Sequence, residues 1–198
     1  MTILPMYPTS INEKYMELVI NTLRDGGIII YPTDSLYAIG CNALNNQAIE
    51  RICRIKGINP AKTNLSIICH DISQSAEYAR IDNRAFRIMK DNLPGPFTFL
   101  LPASTTLPKV FKGRKTVGVR IPDNAIAREI AMRMDSPLLT TSIQWDTEDE
   151  AINPESIAMR YSDTVDIVID GGEGGTEPST VIDLSLIHIS EPTRQEAI

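Results

Sequence analysis

The chain has 198 residues, of which 42% are hydrophobic and 22% charged, and its formal net charge is −6. That length suits one sizeable core. No apolar run approaches the roughly 20 residues of a membrane span, and the opening MTILPMYPTS lacks the basic-then-apolar layout of a signal peptide, so the reading is a soluble, cytoplasmic protein.

Residues 11–25 carry Tyr15, Leu18, Val19 and Leu23 at helical spacing, and Gly26-Gly27 ends that helix. A strand follows at 28–31, and it runs into the polar stretch Pro32-Thr33-Asp34-Ser35. The segment NNQAIERICRIKG reads as a capped helix that stops at Gly57. LSIICH is a short apolar strand, and DNRAFRIMKDNLPG a helix capped by Asp82. FTFLLPA and KTVGVRIP are consecutive strands, NAIAREIAMRM a helix and SPLLTTS a strand. NPESIAMRY is a helix with proline at its start, VDIVIDGG a strand, and PSTVID the last strand. This alternation describes one α/β domain, a mixed sheet with helices on its faces.

Ligands of open α/β sheets gather at strand ends, and four ends here are polar. They are Pro32-Thr33-Asp34-Ser35, Arg120 with Pro122, Thr140-Thr141-Ser142, and Pro178-Ser179-Thr180. Hydroxyls with a few cations suit a phosphate or carboxylate, because they donate hydrogen bonds without adding negative charge. Lys56, at a helix end, either meets such an anion or pairs with the helix C-terminal dipole, and Lys62 lies in the loop that follows. Neither GxxxxGK[ST] nor GxGxxG occurs, and DGGEGGTEP, with its acidic residues, suits a connection or lid better than a phosphate loop. Cys41, Cys53 and Cys69 are odd in number and form no CxxC pair, so neither a disulfide framework nor a zinc site is expected. With only two histidines, the chemistry is not expected to rest on a histidine base.

Charge is unevenly spread. Residues 50–133 hold 15 Lys/Arg against 7 Asp/Glu, whereas residues 134–198 hold 2 against 14. Either a basic surface faces an acidic flank, or the fold disperses the charges. LSLIHISEPTR, residues 184–194, reads like a translated sequencing adapter, so 184–198 is taken as a non-native tail and 10–183 as the domain.

Six motifs in order, YPTDSLYAIGC, AIERICRIK, AFRIMKDNLPGPFTFLL, KTVGVRIP, LLTTS and DGG…PSTVID, resemble the YrdC family and, within it, the YciO branch. The resemblance implies a single-domain YrdC-like fold, a twisted mixed sheet with flanking helices around a concave cavity. It also implies an L-threonylcarbamoyladenylate synthase, which joins L-threonine, bicarbonate and Mg-ATP into threonylcarbamoyl-AMP and pyrophosphate for tRNA modification. By position, Thr33 and Tyr37 would belong to the threonine pocket and Arg120 would pair the amino-acid carboxylate. Lys56, with Lys62 nearby, would meet the ATP phosphates, Ser142 would contact the nucleotide or the threonylcarbamoyl group, Gln144 would contact the nucleotide, and Lys56 and Ser142 would be the catalytic residues. Ser179 and Thr180 would line the cavity, and Mg²⁺ would be held by phosphates and water rather than by protein. Two positions depart from the family pattern. Its Lys-x-Arg reads Lys56-Gly57-Ile58, and its Ser-x-Asn reads Ser142-Ile143-Gln144. The resemblance therefore carries an alternative, a non-catalytic YciO-type protein that binds double-stranded RNA, tRNA or nucleotide through the same cavity.

Overall fold

A computed structural model describes residues 1–63, 65–108, 111 and 115–186. In chain order the elements are β1 (Thr2–Pro5), α1 (Glu13–Arg24), β2 (Ile29–Tyr31), β3 (Ala38–Asn42), α2 (Asn46–Lys56), β4 (Ser66–Ile68), α3 (Ile72–Tyr78) and α4 (Asn83–Asn92). Then come β5 (Phe97–Pro102), β6 (Thr116–Arg120), α5 (Ala125–Met134), β7 (Leu138–Ser142), α6 (Glu148–Ile152), α7 (Pro154–Arg160), β8 (Ile167–Asp170) and β9 (Thr180–Asp183). The strands form one mixed sheet in the order β1-β8-β2-β3-β7-β4-β6-β5-β9. Side-chain oxygens cap the helices as the sequence leads one to expect: Asn45 accepts from the Ala48 N–H at 3.0 Å, and Asp82 from the Ala85 N–H at 2.7 Å. Among the described residues no helix is long and apolar enough to cross a membrane.

Because strand side chains alternate, the sheet has two distinct faces. One carries Ile30, Ile39, Cys41, Ile67, Phe99, Leu101, Val117, Val119, Leu139 and Val168, and is buried under α2, α3, α4 and α7. The other carries Leu4, Ile29, Tyr31, Ala38, Ile68, Leu138, Ile167 and Ile169, which pack against α1 and α5. That second cluster takes no residue from β5, β6 or β9. There the strands turn Thr98, Gly118, Arg120 and Val181 toward the uncovered side. A cleft lies on this part of the sheet.

The stripe of α1 that faces inward is Met16, Val19, Ile20 and Leu23, while Leu18 is 45% exposed. All three cysteines are buried and unbridged, and burial pushes the Cys69 thiol up to about 12. From the tail expected at 184–198, Leu184 is buried and its N–H donates to the Leu100 carbonyl at 2.9 Å. Residues 187–198 lie outside the described residues.

Candidate active site

The cleft, of about 230 Å³, is lined mainly by hydroxyls and one guanidinium. Ser35 and Leu36 come from the loop after β2, Ser66 from β4, Thr98 from β5 and Arg120 from β6. Thr140, Thr141 and Ser142 come from β7, and Pro178, Ser179 and Val181 from the approach to β9 and from β9 itself. Among the described residues no carboxylate lines it. Such a lining presents donors to an anion and offers little to a cation.

Arg120 sits at the last position of β6 with its side chain 9% exposed. Its Nη2 donates to Ser35 Oγ at 2.8 Å and, more weakly, to Asp34 Oδ1 at 3.4 Å. Asp34 is held in turn by the Asp123 backbone N–H at 2.7 Å, so one carboxylate ties the loop after β2 to the loop after β6. Burial lowers the Arg120 pKa, against the opposing pull of Tyr31 and Asp34, but leaves an ordinary guanidinium charged. Its Nε is buried with no partner among the described residues. An unpaired buried donor is the kind of exception that functional sites supply.

Thr33 and Tyr37 flank the cleft-lining pair Ser35-Leu36 but are not themselves part of the lining. The Thr33 hydroxyl donates to the Leu36 carbonyl at 2.6 Å and accepts from the Ser35 N–H at 3.0 Å, closing the loop on itself. Tyr37 is 1% exposed. Its hydroxyl donates to the Gly172 carbonyl at 2.7 Å and accepts from the Gly171 N–H at 3.0 Å, and burial pushes its pKa up to about 12. The fold uses these two side chains to brace the turn.

At the other end, Lys56 closes α2 and reaches the end of β7, where Nζ donates to the Ser142 carbonyl at 2.5 Å. Desolvation lowers its pKa. Gly57 takes the left-handed conformation with φ 63°, its N–H bonds the Arg54 carbonyl, and the Ile58 N–H bonds the Cys53 carbonyl. This double bond pattern is a Schellman stop, which favours an apolar residue just beyond the glycine. Ile58 packs against the core from that place. An isoleucine there is thus explained by the helix end.

Arg120, Ser142 and Ser179 are brought together in the lining, with Lys56 bonded to Ser142. Lys62 is exposed in the loop after α2, and Gln144 is exposed with its N–H on the Tyr161 hydroxyl at 2.8 Å; neither lines the cleft. Thr180 lies in register with Phe97, on the side of the sheet opposite Val181. Its expected place in the lining is corrected by that alternation. Sequence reasoning did not single out Ser66 or Thr98. Alternation counted from Arg120 and carried to neighbouring strands would have found both, because polar residues interrupt otherwise apolar strands there.

Comparison with known proteins gives a consistent picture. The Sua5/yciO/yrdC family model, described as "Telomere recombination", matches residues 21–194. The crystal structure of Escherichia coli YciO superposes with a TM-score of 0.85 at 38% identity, over 93% of this chain and 91% of that one. Pyrococcus abyssi Sua5, complexed with L-threonine, superposes with a TM-score of 0.83 at 30% identity, over 93% of this chain and 54% of that one. A putative threonylcarbamoyl-AMP synthase of Methanocaldococcus jannaschii is 33% identical over 171 residues, 86% of this chain and 80% of that protein.

Proposed function

The chain belongs to the Sua5/YciO/YrdC family, and on that premise we propose that it is a cytoplasmic L-threonylcarbamoyladenylate synthase acting in tRNA modification. The observation that carries the reading is the cleft itself, with under-bonded Arg120 at one end and the Lys56–Ser142 pair at the other. Arg120 takes the carboxylate of L-threonine, presented by Ser35 and Asp34 and by a loop that Thr33 and Tyr37 brace. Lys56, Ser142 and Ser179 take the nucleotide, with Lys62 and Gln144 available from the exposed loops.

The reaction needs position more than covalent help. Threonine's amine attacks the carbon of bicarbonate, an N–C bond forms, and one oxygen leaves as water. A carbamate oxygen then attacks the α-phosphorus of ATP, and the bond to the β-phosphate oxygen breaks to release pyrophosphate. Holding the three reactants in line and keeping water off a labile carbamate supply most of the rate. Mg²⁺ fits as a guest of the phosphates, whose charge it neutralises, because the lining offers hydroxyls and a guanidinium but no carboxylate.

A second reading has its own observation. Ile58 is committed to the end of α2 and brings no charge to a phosphate, which favours a cleft that binds nucleotide without efficient turnover. RNA would then meet the basic residues Arg84, Arg87 and Lys90 of α4, whereas Lys109, Lys112 and Arg114 lie outside the described residues. The test is to incubate the protein with Mg-ATP and bicarbonate, with and without L-threonine, beside an active family member. Threonylcarbamoyl-AMP that requires both threonine and bicarbonate supports the synthase. Its absence beside a working control turns the reading to the binding protein.

A further inference from the structure

The bare part of the sheet is ordered in rows. Arg120 lies level with Ile68, whereas Gly118 lies level with Ser66, which lies level with Thr140. Ser142 follows two residues further along β7. Successive rows on one face are about 6.6 Å apart, two residues of strand. Ser66 and Gly118 therefore occupy the row between Arg120 and Ser142. A ligand with its carboxylate on Arg120 and its phosphate at Ser142 and Lys56 lays the atoms that join them over this row.

Two features set Ser66 and Gly118 apart within the row. The Ser66 hydroxyl has no hydrogen-bond partner among the described residues. By contrast, the Thr140 hydroxyl accepts from Tyr31 at 2.8 Å, and that of Thr98 is paired with Ser179 at 2.7 Å. Second, a Cβ on Gly118 would stand 2.3 Å from Ser66 Oγ and 3.1 Å from Thr98 Cγ2. Glycine leaves the serine room to lie across the floor, and the Nε of Arg120 in the neighbouring row is buried with no partner among the described residues, a donor that a ligand would satisfy.

We infer that Ser66 and Gly118 form the subsite for the one-carbon oxyanion of the reaction, bicarbonate on arrival and the carbamate afterwards. The inference rests on the synthase reading above. When threonine's nitrogen bonds to the bicarbonate carbon, the departing hydroxide takes the proton that nitrogen releases and leaves as water. Ser66 donates its O–H to one carbamate oxygen and is unchanged, which leaves the other oxygen free to attack phosphorus.

The test measures threonylcarbamoyl-AMP formation against bicarbonate concentration in CO2-depleted buffer, for the wild type and Ser66→Ala. L-Threonine binding without bicarbonate is measured by calorimetry alongside. The half-saturating bicarbonate concentration is expected to rise about tenfold in Ser66→Ala, the loss of one such hydrogen bond, while the threonine Kd stays nearly unchanged. Gly118→Ala, which pushes the Ser66 hydroxyl aside, is expected to raise the bicarbonate requirement by itself and to add little to Ser66→Ala. An unchanged bicarbonate requirement in Ser66→Ala overturns the inference and leaves the synthase standing. An equal loss of threonine affinity also overturns it, because Ser66 then lies under the amino acid. A wild type that makes no product beside an active relative overturns the synthase reading and this inference with it.

Discussion

A guanidinium has five N–H donors, and Arg120 spends them sparingly. Among the described residues only Nη2 is engaged, on Ser35 and Asp34, and Nε is buried without a partner. A substrate carboxylate would supply bonds that the fold withholds. Arg120→Ala is expected to weaken L-threonine binding by roughly tenfold to a hundredfold, the worth of a charge-assisted hydrogen bond of about 1.5–3 kcal/mol. It also leaves the half-buried Asp34 without its cation, so a lower melting temperature is expected too. Arg120→Lys separates the two effects. It keeps the charge beside Asp34 but not the planar fork, so it should hold the fold while still binding threonine poorly. Full threonine affinity in the lysine variant would take the fork out of the assignment.

Position 58 joins a helix end to a catalytic question. Ile58 packs where the stop of α2 favours an apolar side chain, and an arginine there could lay its stem along the same surface and carry its charge outward. Ile58→Arg is expected to raise turnover about tenfold or more if the missing charge limits phosphate binding. An unaltered rate would mean that this chain arranges its phosphates without that position. The departure from Lys-x-Arg was plain in the sequence. Its reason was not, because a Schellman stop is a pair of backbone hydrogen bonds and only the neighbouring glycine hints at it.

Among the elements, those with a cap and a clear period were legible. Asn45, Asp82 and Asn124 each open a helix that the sequence announces. β3 was not foreseen. Four of its five residues are buried, so it shows no alternation, and it follows a loop whose polar character dominates the reading. β1 has four residues at a sheet edge, and α3 and α6 are only seven and five residues long, too short to display a helical period.

The pairing of α1 with α5 also escaped the sequence, for it depends on residues 120 positions apart. Arg133 Nη1 and Nη2 each donate to a Glu13 carboxylate oxygen at 2.7 Å, and its Nε donates to Glu129 at 2.7 Å. These bonds hold the Glu13 carboxyl below its usual range. A depressed folded pKa contributes stability that is full above the ordinary value of 4.5 and is lost as pH falls through the folded value. Glu13→Gln is therefore expected to melt slightly below the wild type near neutral pH, with the gap closing on acidification and in high salt, since the pair is exposed. A gap that persists in acid would assign Glu13 a packing role instead.

At the scale of the whole molecule, one connection decides the shape of the cleft. β8 is second in the sheet and β9 is last, yet only residues 171–179 join them. Seven strand spacings would separate the two by about 34 Å in a flat sheet, close to the roughly 33–36 Å limit of so short a link when fully extended. The link is not extended. The Gly174 N–H stops to bond the Ile152 carbonyl at 2.8 Å, and the Tyr37 hydroxyl pins Gly171 and Gly172. The sheet must therefore curl toward its bare side, and the connection brings Pro178 and Ser179 to the cleft that Ser35 and Leu36 also line. The glycine-rich character of DGGEGGTEP has a local cause as well: a Cβ on Gly174 would lie 2.5 Å from the Tyr37 ring, and one on Gly175 2.4 Å from the Ser35 carbonyl. The second of these is rigid backbone, so Gly175→Ala must shift either the connection or Ser35, and Ser35 holds Arg120. Overpacking of this kind costs about 1–3 kcal/mol, and at roughly 2–4 °C per kcal/mol for a chain of this size the melting temperature should fall measurably while the protein stays folded. Threonine affinity should fall with it. Gly26→Ala supplies the comparison, because Gly26 has φ 84° and lies beyond the end of α1, outside the cleft lining. That variant is expected to lose stability and keep its threonine affinity. If Gly175→Ala behaves in the same way, the connection braces the fold alone and does not set the position of Arg120.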